Sequence, residues 1–123
     1  MSEQNTEHKQ DQALIHHLKA DKEAKLLGLL GFAAKARKLV PGADLCRDAV
    51  RRGSVILVLL ASDASENTKK RITDACKYYE TDLGLLSLPS AELSARIGKS
   101  GQIAVVGVTD AHFAEGIFSL FED

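Results

Sequence analysis

The chain has 123 residues, 45% of them hydrophobic and 27% charged, with a formal net charge of −1. That is one domain's worth of ordinary globular sequence, and its longest uninterrupted apolar run, residues 55–61, is far too short to span a membrane. The overall charge hides an asymmetry: residues 35–72 carry nine Lys/Arg against four Asp/Glu, whereas residues 73–123 carry three against eight. A central excess of cations fits a polyanionic partner, and fits equally a solvated basic face with no partner at all.

Residues 1–12 are polar and acidic, unlike the apolar centre of a secretory signal. Two cysteines, Cys46 and Cys76, are too few to staple a small secreted domain, so the cytoplasm is the expected compartment. Residues 1–21 are expected to form a flexible tail, with at most a helical turn over the apolar patch 13–18, and residues 22–123 a single domain. Asp21 is the expected N-cap of a first helix over 22–37, in which Gly28 and Gly31 suggest close packing against a neighbour. Leu39 and Val40 read as a short strand stopped by Pro41-Gly42, and a second helix over 43–52 ends at Gly53.

The aliphatic run VILVLL at 55–60 is the pattern of a strand buried on both faces. Ser62-Asp63-Ala64-Ser65 supplies capping chemistry for a third helix over 66–79. A third strand over 83–88 stops at Pro89, Ser90 can cap a fourth helix closed by Gly98, and a last strand over 103–108 precedes a terminal helix capped by Asp110. This alternation predicts an α/β fold: a three-layer α/β/α sandwich around a short, mostly four-stranded mixed sheet.

Catalytic constellations are hard to find. His16 and His17 are adjacent, His112 stands alone, and the cysteines lie thirty positions apart, so the paired ligand spacing of structural zinc is missing. Gly98-Lys99-Ser100 resembles the end of a phosphate-cradling loop, but Leu93 stands where that motif needs glycine, and the tripeptide follows a helix instead of opening one. No metal, no cofactor, no small-molecule substrate and no enzymatic activity are expected. Aromatic residues make up only 5% of the chain and none falls on a predicted strand, which argues against a base-stacking sheet. The Pro41-Gly42 turn opens a helix whose free N–H groups would suit phosphate, or is simply a strand-to-helix turn.

The stretches KARKLVPGADLCRDAVRRG (35–53), VILVLLASDASENTKKRITDACKYY (55–79), ELSARIGKS (92–100) and VVGVTDAHFAEGI (105–117) resemble, in the same order, the bacterial YlxQ-type branch of the ribosomal-protein superfamily that includes the archaeal and eukaryotic proteins L-seven-Ae and L-thirty-e. The resemblance covers about residues 24–121. It implies a three-layer sandwich that binds kink-turns, RNA duplexes bent sharply at a bulge beside tandem G·A pairs. The family motif Gly-x-Asn-Glu-x-x-Lys falls on Gly42, Asp44, Leu45 and Asp48, so only the glycine is retained. Asp-Leu in place of Asn-Glu is common in the YlxQ-type branch. Asp48 puts a carboxylate where the family has a phosphate-binding lysine, with Arg47 and Arg52 as the compensating cations.

A second family element, the loop after the fourth helix, maps to Arg96, Ile97, Gly98 and Lys99. Ile97 would cover an extruded base if it sits on the loop, or face the core if it ends the helix. Asp63 matches an acidic position beside the RNA, and could equally cap a helix; Lys38 completes the implied RNA contacts. The resemblance thus implies a non-catalytic, monomeric RNA-binding protein linked to ribosomes or translation. The alternative is a protein-interaction module of the same fold that has lost kink-turn binding.

Overall fold

The computed structural model describes residues 14–122. In chain order the elements are β1 (Ile15–His17), α1 (Glu23–Lys35), β2 (Leu39–Pro41), α2 (Ala43–Arg51), β3 (Leu57–Leu60), α3 (Glu66–Tyr78), β4 (Asp82–Leu85), α4 (Ser90–Arg96), β5 (Val105–Val108) and α5 (Ala111–Phe118). The strands form one mixed sheet in the order β1-β4-β3-β5-β2, with β3 parallel to β4 and antiparallel to β5.

The period-two alternation of strand side chains divides the core between the two faces of the sheet. Leu57 and Leu59 of β3 point to one face and pack with Leu26 and Leu30 of α1, Leu93 of α4 and Ile117 of α5. Val58 and Leu60 point to the other and pack with Cys46 and Val50 of α2 and Ile72 and Cys76 of α3. Helices therefore cover both faces, and every residue of β3 is buried, as the unbroken VILVLL run predicts. A β-carbon added at Gly84 would lie 2.8 Å from the Phe121 ring, so the missing side chain lets that ring lie directly on the sheet.

The sheet has five strands, not four. Residues 15–17, expected within a flexible tail or a helical turn, form β1 and pair in parallel with β4. The chain is held there by Glu122 N–H donating to the His17 carbonyl at 2.7 Å and Lys19 N–H donating to the Leu120 carbonyl at 3.1 Å. His16 Nε2 lies 2.9 Å from Asp82 Oδ1, and its ring meets Phe118 edge-on at 5.4 Å between centroids. Leu18, also expected in the tail, is buried and bridged to Phe121, and residues 1–13 lie outside the described residues.

Helices α3 and α5 start on side-chain caps, whereas Ser90, expected to cap α4, is its first residue after Pro89. Ser65 Oγ accepts from Thr68 N–H at 3.1 Å to start α3, and Asp110 accepts from Phe113 N–H at 3.0 Å to start α5. Asp21 does not cap α1; Lys22 occupies that position without a side-chain cap. Both α2 and α4 close on a glycine in the left-handed region. At α4, Gly98 has φ 75°, its N–H reaches the Ala95 carbonyl, and Lys99 N–H reaches the Ser94 carbonyl at 3.0 Å. That paired bonding is the Schellman closure. The same closure ends α1 and α3, but with Arg37 (φ 60°) and Glu80 (φ 54°) where glycine is the easier residue.

Candidate nucleic-acid interface

The Pro41-Gly42 turn joins edge strand β2 to α2. Gly42 has φ 98°, a conformation that L side chains rarely adopt, and a β-carbon there would meet nothing. Backbone geometry, not space, demands the glycine. Its N–H donates to the Val105 carbonyl at 2.8 Å, and its carbonyl accepts from Cys46 N–H at 3.0 Å. The N–H groups of Ala43, Asp44 and Leu45 then form the open first turn of α2, with no side-chain cap.

The turn and the loop after α4 lie on one surface. A groove of about 410 Å³ is lined by Ala34 and Arg37 from the end of α1, Leu39 and Pro41 from β2, and Ile97, Gly98 and Lys99 from the α4 terminus. A second groove of about 430 Å³ runs along the other flank of that terminus, lined by Gly28, Gly31, Phe32, Ala34, Lys35, Arg96, Ile97 and Gly98. The two meet at Ala34, Ile97 and Gly98. Their cations are Lys35, Arg37, Arg96 and Lys99; no carboxylate lines either groove, and none of the four is ion-paired with another described residue.

Ile97 sits differently from the loop position that would drape it over a base. It is only 8% exposed and belongs to the core between the sheet and α1, because it ends a helix whose apolar side faces inward. What remains exposed of it forms the floor where the two grooves meet. Asp63 is occupied structurally. Its carboxylate accepts from Ser90 N–H at 2.8 Å and Ser90 Oγ–H at 3.1 Å, tying the β3–α3 turn to the start of α4. Lys38 lines neither groove. The Asp110 carboxyl is held below the usual carboxylate range chiefly by the Phe113 N–H bond, with the charge of Lys38 a smaller contribution.

The remaining predicted residues lie further along α2. Asp44 binds Arg71 at 2.9 Å, and Asp48 binds Arg51 at 2.7 Å and Arg52 at 3.2 Å. These residues, apart from Arg52, line a separate depression between α2 and α3 together with Arg47, Ala75 and Tyr79. The carboxylate of Asp48 is thus already neutralised by two arginines. Leu45, on the same helix, is 59% exposed. Among the described residues no group of three or more His, Cys, Asp or Glu is placed to hold a metal ion.

Phe32 belongs to the surface although its apolar character suggests core: it is 67% exposed and lines the second groove. The signal for this was present in the chain. Leu26, Leu30 and Ala33 mark the buried stripe of α1, and Phe32 follows Leu30 by two positions, about 200° around the helix.

A three-layer α/β/α domain with a glycine-opened helix beside a glycine-closed, cation-rimmed loop defines a class of ribosomal-protein-like folds. The chain belongs to the ribosomal protein L7Ae/L30e/S12e/Gadd45 family, whose model matches residues 24–117. It is 44% identical over 94 residues to the RNA-binding protein YlxQ of Bacillus subtilis (strain 168), covering 76% of this chain and 92% of that one. It is 38% identical over 98 residues to the RNA-binding protein YlxQ of Enterococcus faecium, covering 80% and 92%. Among solved structures, a protein of unknown function from Bacillus halodurans C superposes with a TM-score of 0.73 at 41% identity, over 80% of this chain and 97% of that one. The Giardia lamblia 15.5kD RNA binding protein shares the fold, with a TM-score of 0.67 at 19% identity over 83% and 89%.

Proposed function

We propose that this protein binds structured RNA, in the manner of a kink-turn reader, by laying the open first turn of α2 and the groove beside it against the bent duplex. The observation that carries the proposal is the shared groove: Pro41 and the 97–99 loop line one basin whose charges, Arg37 and Lys99, are cationic and without a carboxylate partner among the described residues. The unpaired N–H groups at the start of α2 suit a phosphate. The RNA-binding relatives support the reading and point to a non-catalytic role. We place it in the cytoplasm, as a monomeric accessory of ribosomes or translation.

Electrophoretic titration against a kink-turn duplex, and against the same duplex lacking its G·A pairs, tests the proposal. The kink-turn binds more tightly, and Arg37→Ala or Lys99→Ala weakens it several-fold while Lys22→Ala is nearly silent. Equal affinity for both duplexes refutes kink-turn recognition. One observation favours a second reading, a protein-docking module: Leu45 stands exposed on α2 where the RNA-reading motif carries a polar residue. Partners that stay bound in nuclease-treated lysate, and are lost with Leu45→Ser, would favour it.

A further inference from the structure

The groove between α1 and the α4 terminus has features that the fold alone does not require. Gly28 lies mid-helix, where glycine is destabilising relative to alanine. Its φ is not positive, and a β-carbon there would meet nothing within 4 Å. Neither strain nor packing explains it. Gly31, by contrast, has a packing reason: a β-carbon would lie 3.3 Å from Arg96 Cδ, so the arginine stem rests on the helix backbone at that point. Phe32 follows Gly28 by one turn on the same side of α1, and helical side chains lean toward the N-terminus, over the preceding turn. The result is a bare backbone shelf beside an exposed aromatic ring, with Lys35 and Arg96 at the rim.

We infer that this groove holds one unpaired nucleotide of the bound RNA, its base stacked on Phe32 against the Gly28 shelf and its phosphate drawn to Lys35 and Arg96. The inference deepens the proposed RNA binding and rests on it. A nucleotide combines what the site offers: a flat apolar face for the ring and a negative charge for a rim that carries cations and no carboxylate. An apolar peptide segment would use the ring and leave both cations idle. The groove shares Ala34, Ile97 and Gly98 with the basin beside the α2 turn, so a strand leaving a duplex docked there has a continuous path into it.

The test compares two RNAs on the full chain: a blunt kink-turn duplex, and the same duplex with a six-nucleotide single-stranded tail carrying 2-aminopurine. The tailed RNA is expected to bind about tenfold more tightly, with quenching of the 2-aminopurine fluorescence. Phe32→Ala abolishes both the gain and the quenching while leaving blunt-duplex affinity unchanged. Gly28→Ala fills the shelf, so it raises the melting temperature and yet loses the gain, a combination that damage to the fold would not produce. No gain from the tail, a gain that survives Phe32→Ala, or Phe32-dependent self-association in size-exclusion chromatography would overturn the inference. Failure of the parent reading shows separately, as a blunt duplex bound no better than its counterpart without G·A pairs.

Discussion

Individual side chains decide whether the basic surface is available. The α2–α3 face carries Arg47, Arg51, Arg52 and Arg71, and all but Arg47 are tied to Asp48 or Asp44. The excess of cations in the middle of the sequence therefore divides into a largely neutralised part on α2 and α3 and an open part beside the grooves, a division invisible from residue counts. Ile97 marks the same limit: its apolar character was legible, its direction was not, because direction depends on where α4 ends. Ile97→Ala is expected to cost about 2–5 kcal/mol of stability as a buried truncation, read as a lowered urea midpoint. Glu80, held at φ 54° at the end of α3, gives the opposite effect: Glu80→Gly relieves left-handed strain and raises stability by about 1 kcal/mol. The two thiols are pushed up to about 12, mainly by burial. Native protein should resist iodoacetamide at pH 8 and react fully once unfolded. Because the unfolded thiols ionise first, near their ordinary value of 9.0, stability from this source is intact below pH 9 and falls as pH rises toward 12.

At the scale of elements, most of the architecture was legible. The VILVLL run, Ser65, Asp110, Gly53 and Gly98 each define a strand core or a helix end by local chemistry, and each works as expected. β1 escaped because its reasons are remote. Three residues, Ile-His-His, carry no strand periodicity, and what holds them is β4 on one side and the chain after α5 on the other. Removing residues 1–18 should expose β4 as an unprotected edge, lowering the urea midpoint and promoting aggregation, measured by light scattering. An unchanged midpoint would mean that β1 adds nothing to the fold. The tie between Asp63 and Ser90 is a second long-range device, since it anchors the start of the helix whose far end forms the grooves. Asp63→Ala should cost about 1 kcal/mol and weaken RNA binding in step, without changing which RNA is preferred.

For the whole molecule, the central issue is which surface meets the ligand. The family, the layered fold, the glycine turn and, through the resemblance, its pairing with the 96–99 loop could be read from the chain; the part that the α1 terminus takes in two joined grooves could not, because it brings together segments far apart in sequence. If duplex phosphates are neutralised there, affinity falls with salt at a log–log slope of about −0.9 per phosphate. The most direct measurement is an NMR titration of the labelled protein with a kink-turn duplex, following backbone amides. The largest shifts should fall on residues 34–45 and 96–100, with the outer faces of Arg51, Arg71 and Tyr79 little changed. Shifts concentrated instead on the α2–α3 depression, or spread evenly over the surface, would contradict the placement of the RNA.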